Sequence, residues 1–294
     1  MANAPPKLTY SRAPLVEVAL SVQFDTPARL TQAHLGAYWA SQKERFPVVH
    51  SAQGLPAMNE EFAGGRSWLP PALRLALSEE PDTRVQMTSG DQAWVQQVQA
   101  NRLVVNWRKR DQPVADYPRF EGALQQFKKS WGDWSRFLVS VGVSAPRPVV
   151  WEAVYVNRIP RGGLWETPAD WQKIFPGLWA APFGAVAGAS LIGLQGQWVW
   201  ETTEPAARLY VEPKPGRGPG PEFQDLLFVT FTARGRLALP QKTAASENGG
   251  LDAIEQGIRW GHGLIVDAFD SLNSAEAKTA WGRHDERSSH DLDH

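Results

Sequence analysis

The chain contains no cysteine among its 294 residues. The cysteine thiolate is a nucleophile in many enzymes and a common ligand of structural zinc and of iron–sulfur clusters. Its absence therefore excludes disulfide bonds, thiol nucleophiles, cysteine-ligated zinc and iron–sulfur clusters together. It also fits a reducing compartment, and we expect a cytoplasmic protein.

A surplus of charge of one sign is missing as well. The chain has 30 basic and 31 acidic residues, and its formal net charge is −1. Domains that bind nucleic acid usually carry a surplus of lysine and arginine. Any basic site must therefore be a local patch, and the net charge does not support a nucleic-acid partner.

Long apolar runs are missing too. No run approaches the roughly 18 consecutive apolar residues that indicate a transmembrane helix. The first residues, MANAPPKLTYSRAP, lack the apolar stretch of a secretory signal peptide. We therefore expect no association with a membrane.

Known catalytic and cofactor motifs do not occur in the sequence. The chain has no GxxxxGK[ST] phosphate loop, no GxSxG nucleophile elbow and no HExxH zinc motif. We therefore predict no catalytic residues, no cofactor and no metal site. A non-enzymatic role is favoured, while an enzyme of unrecognised type remains the alternative.

The first part of the chain shows a clear order of elements. Residues 14–24 alternate between apolar and polar, which predicts a strand with one wet face. A short amphipathic helix follows from Thr31 to Pro47. Three strand-like runs then predict an antiparallel meander, at residues 84–89, 93–99 and 102–109. Apolar residues at spacings of three and four predict a long helix at residues 117–141.

After a joint at residues 144–148 the same order returns. A strand, a short helix, three strands and a long helix are predicted at residues 149–159, 167–176, 191–201, 207–213, 225–237 and 251–272. Because both parts follow one order, we predict an internal duplication.

The sequence therefore predicts the α+β class with two similarly ordered halves. The halves are residues 1–143 and 148–282, and residues 283–294 are expected to form a disordered polar tail. Each half should form a curved antiparallel sheet with helices on one face, and the halves should pair their sheet edges. The other sheet face would then be a broad free surface. Residues 48–82, rich in proline and glycine, fit no predicted element.

The strongest candidate for a binding site is the run RLVVNWRKRD. Arg108, Lys109 and Arg110 form a basic cluster at a strand end, and Trp94 and Trp107 lie on neighbouring predicted strands. An aromatic ring beside cations suits a nucleotide or single-stranded nucleic acid. The simpler interpretation is a charged strand terminus, where lysine and arginine discourage edge-to-edge aggregation.

Three further residues are candidates for a pocket. Glu17 and Glu152 occupy comparable places in the first strand of each half. On a wet face they would be solvated charges, whereas in a pocket they would be candidates for binding or acid–base chemistry. His262 lies on the apolar face of the last long helix, where a hydrogen-bonded core histidine is the expected role.

Several short motifs follow one another along nearly the whole chain. They are Tyr10 with APLVEV at 13–18, RLVVNW at 102–107, YPRFE at 117–121 with Phe127, and finally His262, Phe269 and Trp281-Gly282. In this order they resemble a sporadically distributed family of bacterial proteins of unknown function. The resemblance implies a bacterial or archaeal cytoplasmic protein and carries over no catalytic residues. The patchy distribution of that family suggests mobile or defence-associated genes.

Three hypotheses of function remain from the sequence. The first is a non-enzymatic binding or regulatory protein that holds another protein through the free sheet face or a tryptophan-rich patch, since the chain has 14 tryptophans. The second is a nucleic-acid or nucleotide binder that uses the Trp/Arg patch. The third is an enzyme of unrecognised type. A protein is the expected partner, and the sequence predicts no oligomeric state.

Overall fold

The structure is a computed structural model of the chain. It describes residues 7–58, 60, 83–110, 117–179, 191, 194–218, 224–237 and 250–286.

The described part of the chain contains runs of consecutive strands separated by helices, which is typical of an α+β protein. The strands are β1 (Lys7–Tyr10), β2 (Leu15–Asp25), β3 (Val48–Gln53), β4 (Thr83–Thr88), β5 (Trp94–Gln99), β6 (Arg102–Arg108), β7 (Arg147–Pro160), β8 (Trp198–Thr203), β9 (Ala206–Arg217), β10 (Asp225–Arg236) and β11 (Arg283–Glu286). The helices are α1 (Gln32–Gln42), α2 (Arg119–Ser140), α3 (Trp171–Ile174), α4 (Leu251–Leu272) and α5 (Ala275–Ala280).

Nine of these strands form one antiparallel sheet in the order β3-β4-β5-β6-β2-β7-β10-β9-β8. The remaining two, β1 and β11, form a separate two-stranded ribbon. A large antiparallel sheet packed against helices confirms the predicted α+β class.

The long helices α2 and α4 cover one face of the sheet. Apolar residues recur along α2 at helical spacing, as Phe120, Leu124, Phe127 and Trp131, and all four are buried. They belong to one core together with apolar residues of the sheet such as Phe231. The side chains on the opposite face of the sheet do not belong to this contact with α2 and α4.

The two halves meet at the centre of the sheet. The first strand of each half, β2 and β7, pair with each other. Outside them lie β6 and β10, which are the last strands before α2 and α4. Among the residues that the structure describes, the first half has one more sheet strand than the second, β3. The order of elements thus matches between the halves, and their common origin remains a prediction.

Several segments differ from what the sequence predicted. Strand β1 and helix α5 were not predicted, and β8 begins at Trp198 where a strand at residues 191–201 was expected. Residues 283–286, placed in the disordered tail, form β11, whose Arg283 lies opposite Tyr10 of β1. A four-residue charged strand has no apolar alternation by which it could be recognised. Likewise β3 lies inside the segment that fitted no predicted element, and its side chains are mostly exposed. Residues 287–294 lie outside the described residues.

Most of the described tryptophans are buried in the hydrophobic core. Trp107, Trp131, Trp134 and Trp171 are among the largest fully buried side chains. Trp151 is buried where α4 crosses β7, against two glycines of that helix. Within the described part of the chain, no helix is both long and apolar enough to cross a membrane.

Candidate functional site

Polar side chains cover the sheet face that turns away from α2 and α4. Because neighbouring residues of a strand point to opposite faces, they alternate with the core residues. We call this surface the polar face, and its central members are Gln23, Gln99, Arg102, Glu152, Arg208, Tyr210 and Arg234.

Residues 55–58 together with Glu60, which we call the strap, lie across the polar face. The Gln99 side chain contacts both main-chain atoms of Leu55, accepting from its N at 2.8 Å and donating to its O at 3.0 Å. Arg102 donates to the carbonyl oxygen of Pro56 at 2.6 Å. The order of these partners places the strap across β5 and then β6.

The next contact repeats the first. The Gln23 side chain accepts a hydrogen bond from the main-chain N of Met58 at 2.6 Å and donates to its O at 3.2 Å. Glu60 then reaches β9 and β10. From β5 to β10 there are four strand intervals, or about 19 Å at about 4.8 Å each. The five steps from Leu55 to Glu60 span at most about 17 Å, so the glutamate side chain completes the distance.

The carboxylate of Glu60 lies in a cradle of three donors. Arg234 Nη1 contacts Oε1 at 2.7 Å, and Arg208 Nη1 contacts Oε2 at 2.9 Å. The hydroxyl of Tyr210 lies 2.7 and 2.9 Å from the two oxygens. The Glu60 side chain is only 3% exposed, so the cradle holds a carboxylate away from water.

Two further carboxylates fix the arginines of this cradle. Glu152 accepts from Arg234 Nε at 2.8 Å and from its Nη2 at 2.5 Å. Glu201 accepts from Arg208 Nε at 2.9 Å. Arg234 also lies over the Tyr210 ring, 5.3 Å from its centroid. The donors are therefore held in place by the sheet itself.

Ionisation of the cradle follows from this arrangement. Burial, together with the hydrogen bond to Glu60, raises the pKa of Tyr210 to about 12. Burial alone would lower the pKa of Arg234, but the charges of Glu152 and Glu60 raise it overall. Near neutral pH the cradle thus offers two guanidinium groups and one hydroxyl to an anionic oxygen pair.

A chain of hydrogen bonds crosses the other half of the polar face. Gln86 donates to Gln97 at 2.9 Å, Gln97 donates to Asn106 at 2.7 Å, and Asn106 donates to Glu17 at 2.5 Å. Glu17 also lies 3.4 Å from Arg108 Nε. The two central amides are buried, so this chain fixes the orientation of the side chains from β4 to β2.

The predicted Trp/Arg patch is not assembled on one surface. Trp94 and Trp107 are direct neighbours across β5 and β6, but they lie on the helix side, where Trp107 is 1% exposed. Arg108 lies on the polar face beside Glu17, Lys109 is exposed, and Arg110 donates to Gln92.

Two of the patch cations nevertheless share a cleft. Arg108 and Arg110 line a space of about 350 Å³ with His50 and Gln86. None of the described residues that line it is a tryptophan. The structure therefore shows a basic cleft at this place, while the rings of Trp94 and Trp107 lie on the helix side of the sheet.

The three predicted pocket residues are also separated. Glu17 and Glu152 share the polar face, on the paired strands β2 and β7. His262 lies on the helix side, where its Nδ1 is 2.8 Å from the Tyr155 hydroxyl. Its ring stacks on that of Phe120, with 3.9 Å between the ring centroids. Among the described residues, no three His, Asp or Glu side chains come together as metal ligands.

Sequence reasoning missed the residues that form the cradle. The alternation in β9 and β10 was the available signal, because it places Arg208, Tyr210 and Arg234 on the face opposite the core residues. Glu60 had no such signal, since it lies in the segment that fitted no predicted element.

The chain was compared with known proteins in three ways. Family models, curated proteins and solved structures were each searched, and none of them matches the chain.

Proposed function

We propose that this chain is a non-enzymatic binding protein that holds an extended polypeptide segment of a partner protein on its polar face. The segment would take the place that the strap occupies in the free protein. The observation that carries the proposal is that the Gln23 amide binds the main-chain N–H and the carbonyl oxygen of Met58. Gln99 binds the same two groups of Leu55.

Such contacts suit the recognition of another chain. A side-chain amide offers one acceptor and two donors, so it can satisfy the N–H and the C=O of one residue at the same time. Main-chain contacts supply affinity for an extended peptide whatever its side chains are. Pockets or charges beside them then supply the choice of sequence.

The strap is also suited to being replaced. Residues 55–58 are not part of the strand ladder, and side chains of the sheet provide the contacts described above. Each of these hydrogen bonds contributes about 0.5–1.5 kcal/mol. Release of the strap costs these hydrogen bonds, the burial of Met58 and the contacts of Glu60, whereas the nine-stranded sheet keeps its own hydrogen bonds.

A peptide-binding measurement tests the proposal. The probe is a labelled, amidated peptide with the sequence of residues 54–60, GLPAMNE, followed by fluorescence anisotropy. Met58 is 5% exposed, and truncation of a buried methionine costs about 2–5 kcal/mol. Met58→Ala should loosen the strap, and we expect it to bind the peptide at least about tenfold more tightly than the wild type does.

The control variants separate the polar face from general stickiness. Adding Gln23→Ala and Gln99→Ala to Met58→Ala should abolish binding, because both main-chain grips are lost. Lys109→Gln in the same background should leave the affinity unchanged, since Lys109 is exposed and outside the strap contacts. If Met58→Ala shows no saturable binding, or if binding survives the loss of both glutamines, the proposal is wrong.

A second candidate function rests on the basic cleft beside β3. His50, Arg108 and Arg110 line it together, which favours an anionic ligand such as a nucleotide phosphate. Its test is the salt dependence of nucleotide binding by the wild type and by Arg110→Glu. Equal affinity in the two proteins would exclude this role for the cleft.

A further inference from the structure

We infer that the ligand of the polar face is acidic, with a carboxylate two residues after the position gripped by Gln23. This inference rests on the proposed function and adds the chemistry of the partner segment. Its basis is the cradle of Arg208, Tyr210 and Arg234, which receives Glu60 two residues after Met58.

The cradle is fixed before any ligand enters it. When Glu60 leaves, Arg234 keeps its contacts with Glu152 and Arg208 keeps its contact with Glu201. Each arginine of the empty cradle thus still has a carboxylate partner that balances its charge. Donors that are already in place lose little conformational freedom on binding, which increases affinity.

The same donors discriminate against neutral ligands. The Tyr210 hydroxyl and one Nη1 group from each arginine point at the two oxygens of one carboxylate. A glutamine in this place would present its NH₂ group to at least one of these donors and leave it unpaired. Sites built to pair a buried polar group reject analogues that leave donors unpaired, so the cradle selects glutamate over glutamine.

The spacing of the contacts defines the ligand further. Main-chain atoms are held at the positions of Leu55 and Met58, and the carboxylate follows at the position of Glu60. A ligand segment therefore needs six residues in extended form, free main-chain N–H groups at its first and fourth positions, and a carboxylate at its sixth position. A proline at the first or fourth position would remove a donor that Gln99 or Gln23 accepts.

The test uses two amidated peptides that differ in one group. One has the sequence of residues 54–60, GLPAMNE, and the other ends in glutamine, GLPAMNQ. Both are titrated against the full-length Glu60→Gln protein, in which the strap has lost its carboxylate. We expect the glutamate peptide to bind about 10- to 100-fold more tightly than the glutamine peptide, since hydrogen bonds to charged groups are worth about 1.5–3 kcal/mol.

Variants of the cradle show whether that preference arises there. Tyr210→Phe keeps the ring and removes one donor, so it should reduce the preference for glutamate several-fold when added to Glu60→Gln. Lys109→Gln is the matched control for a single change on the surface and should leave the preference intact. Circular dichroism of each variant checks that the fold is kept.

The outcomes separate the two proposals. Equal affinity of the two peptides for Glu60→Gln, with binding still lost when Gln23→Ala and Gln99→Ala are added to Met58→Ala, would overturn the acidic ligand and leave the peptide-binding function in place. If neither peptide binds to Glu60→Gln or to Met58→Ala, the peptide-binding function fails and the acidic ligand fails with it.

Discussion

The carboxylate of Glu60 and the guanidinium of Arg234 lie 2.7 Å apart, although their positions in the chain differ by 174. Glu60 belongs to the first half and Arg234 to the second. The strap is therefore fastened to both halves, by Gln99 and Gln23 at one end and by the cradle at the other. Any event that releases Glu60 weakens a link between the halves as well as opening the polar face.

Glu60→Gln should lower the free energy of unfolding by about 1–3 kcal/mol. The reason is that a buried group loses charged hydrogen bonds, while both arginines keep a second carboxylate. Urea unfolding followed by circular dichroism measures the loss.

Glu201→Gln is the control for this measurement. It removes a carboxylate from the same Arg208, but Glu201 is 49% exposed, and exposed ion pairs contribute about 0–1 kcal/mol. Equal losses in the two variants would show that burial of Glu60 in the cradle adds nothing to stability.

The glycines of α4 that face Trp151 should not tolerate alanine. A Cβ atom would lie 2.3 Å from the Trp151 ring at Gly257 and 2.4 Å from it at Gly261. Although alanine favours the helix by about 1 kcal/mol, overpacking costs about 1–3 kcal/mol. We therefore expect Gly257→Ala and Gly261→Ala to lower the unfolding free energy.

The same helix supplies a control for the glycine variants. At Gly263 an added Cβ atom would meet nothing within 4 Å. Gly263→Ala should therefore raise the unfolding free energy by up to about 1 kcal/mol, as helix propensity alone predicts. Stabilisation of all three variants in urea unfolding would contradict the close packing of α4 on Trp151.

The alternation of residues in β5 and β6 predicts which side chains share a face of the sheet. The predicted Trp/Arg patch combined residues of both faces. Adjacent residues of a strand point to opposite faces. Trp107 alternates with Val105 in the core, so Arg108 had to lie on the other face. The period of two that predicted β6 thus already excluded a stacking ring beside Arg108.

The cradle shows what the sequence could not supply. Strands β9 and β10 were predicted at residues 207–213 and 225–237, but the shared face of Arg208 and Arg234, which their alternation implies, was not recognised. The position of Glu60 could not be predicted, because its segment is rich in proline and glycine and shows no period. Pairing between residues 148 and 174 positions apart is a property of the folded chain, not of local pattern.

Asp270 should make the attachment of the terminal ribbon depend on pH. Its Oδ1 accepts from Tyr10 of β1 at 2.7 Å and from Arg283 of β11 at 2.6 Å. Burial raises the pKa of Asp270, but the hydrogen bonds from Arg283 and Tyr10 and the nearby positive charges lower it overall.

The pKa of Asp270 in the folded protein lies below the value of about 3.9 for an unfolded aspartate. Ionised Asp270 therefore stabilises the folded state. The stabilisation is complete above about pH 4 and is lost as the pH falls through the lowered pKa. Asp270→Asn should release the ribbon at neutral pH, with a loss of about 1–3 kcal/mol. Amide exchange of β1 at pH 7 and at pH 3 measures this, and a wild-type minus Asp270→Asn difference that does not shrink in acid would contradict it.

A buried hydrogen-bond network joins α1, β5 and α2 on the helix side of the sheet. Gln96 donates to the Tyr38 hydroxyl at 2.7 Å and accepts from the Ser130 hydroxyl at 2.9 Å. All three residues are fully buried. Gln96→Leu would leave two hydroxyl groups without a partner, and each unsatisfied group costs about 1–3 kcal/mol. We therefore expect a loss of about 2–5 kcal/mol in urea unfolding.

Removing the hydroxyl groups as well should restore most of that stability. The triple variant Gln96→Leu, Tyr38→Phe and Ser130→Ala has no unpaired donor at this place, and apolar replacement of all partners is nearly neutral. We expect the triple variant to be more stable than Gln96→Leu alone, a non-additivity typical of residues in one hydrogen-bond network. If the three losses simply add, the network does not join α1 and α2 to the sheet, and apolar packing alone holds the helices there.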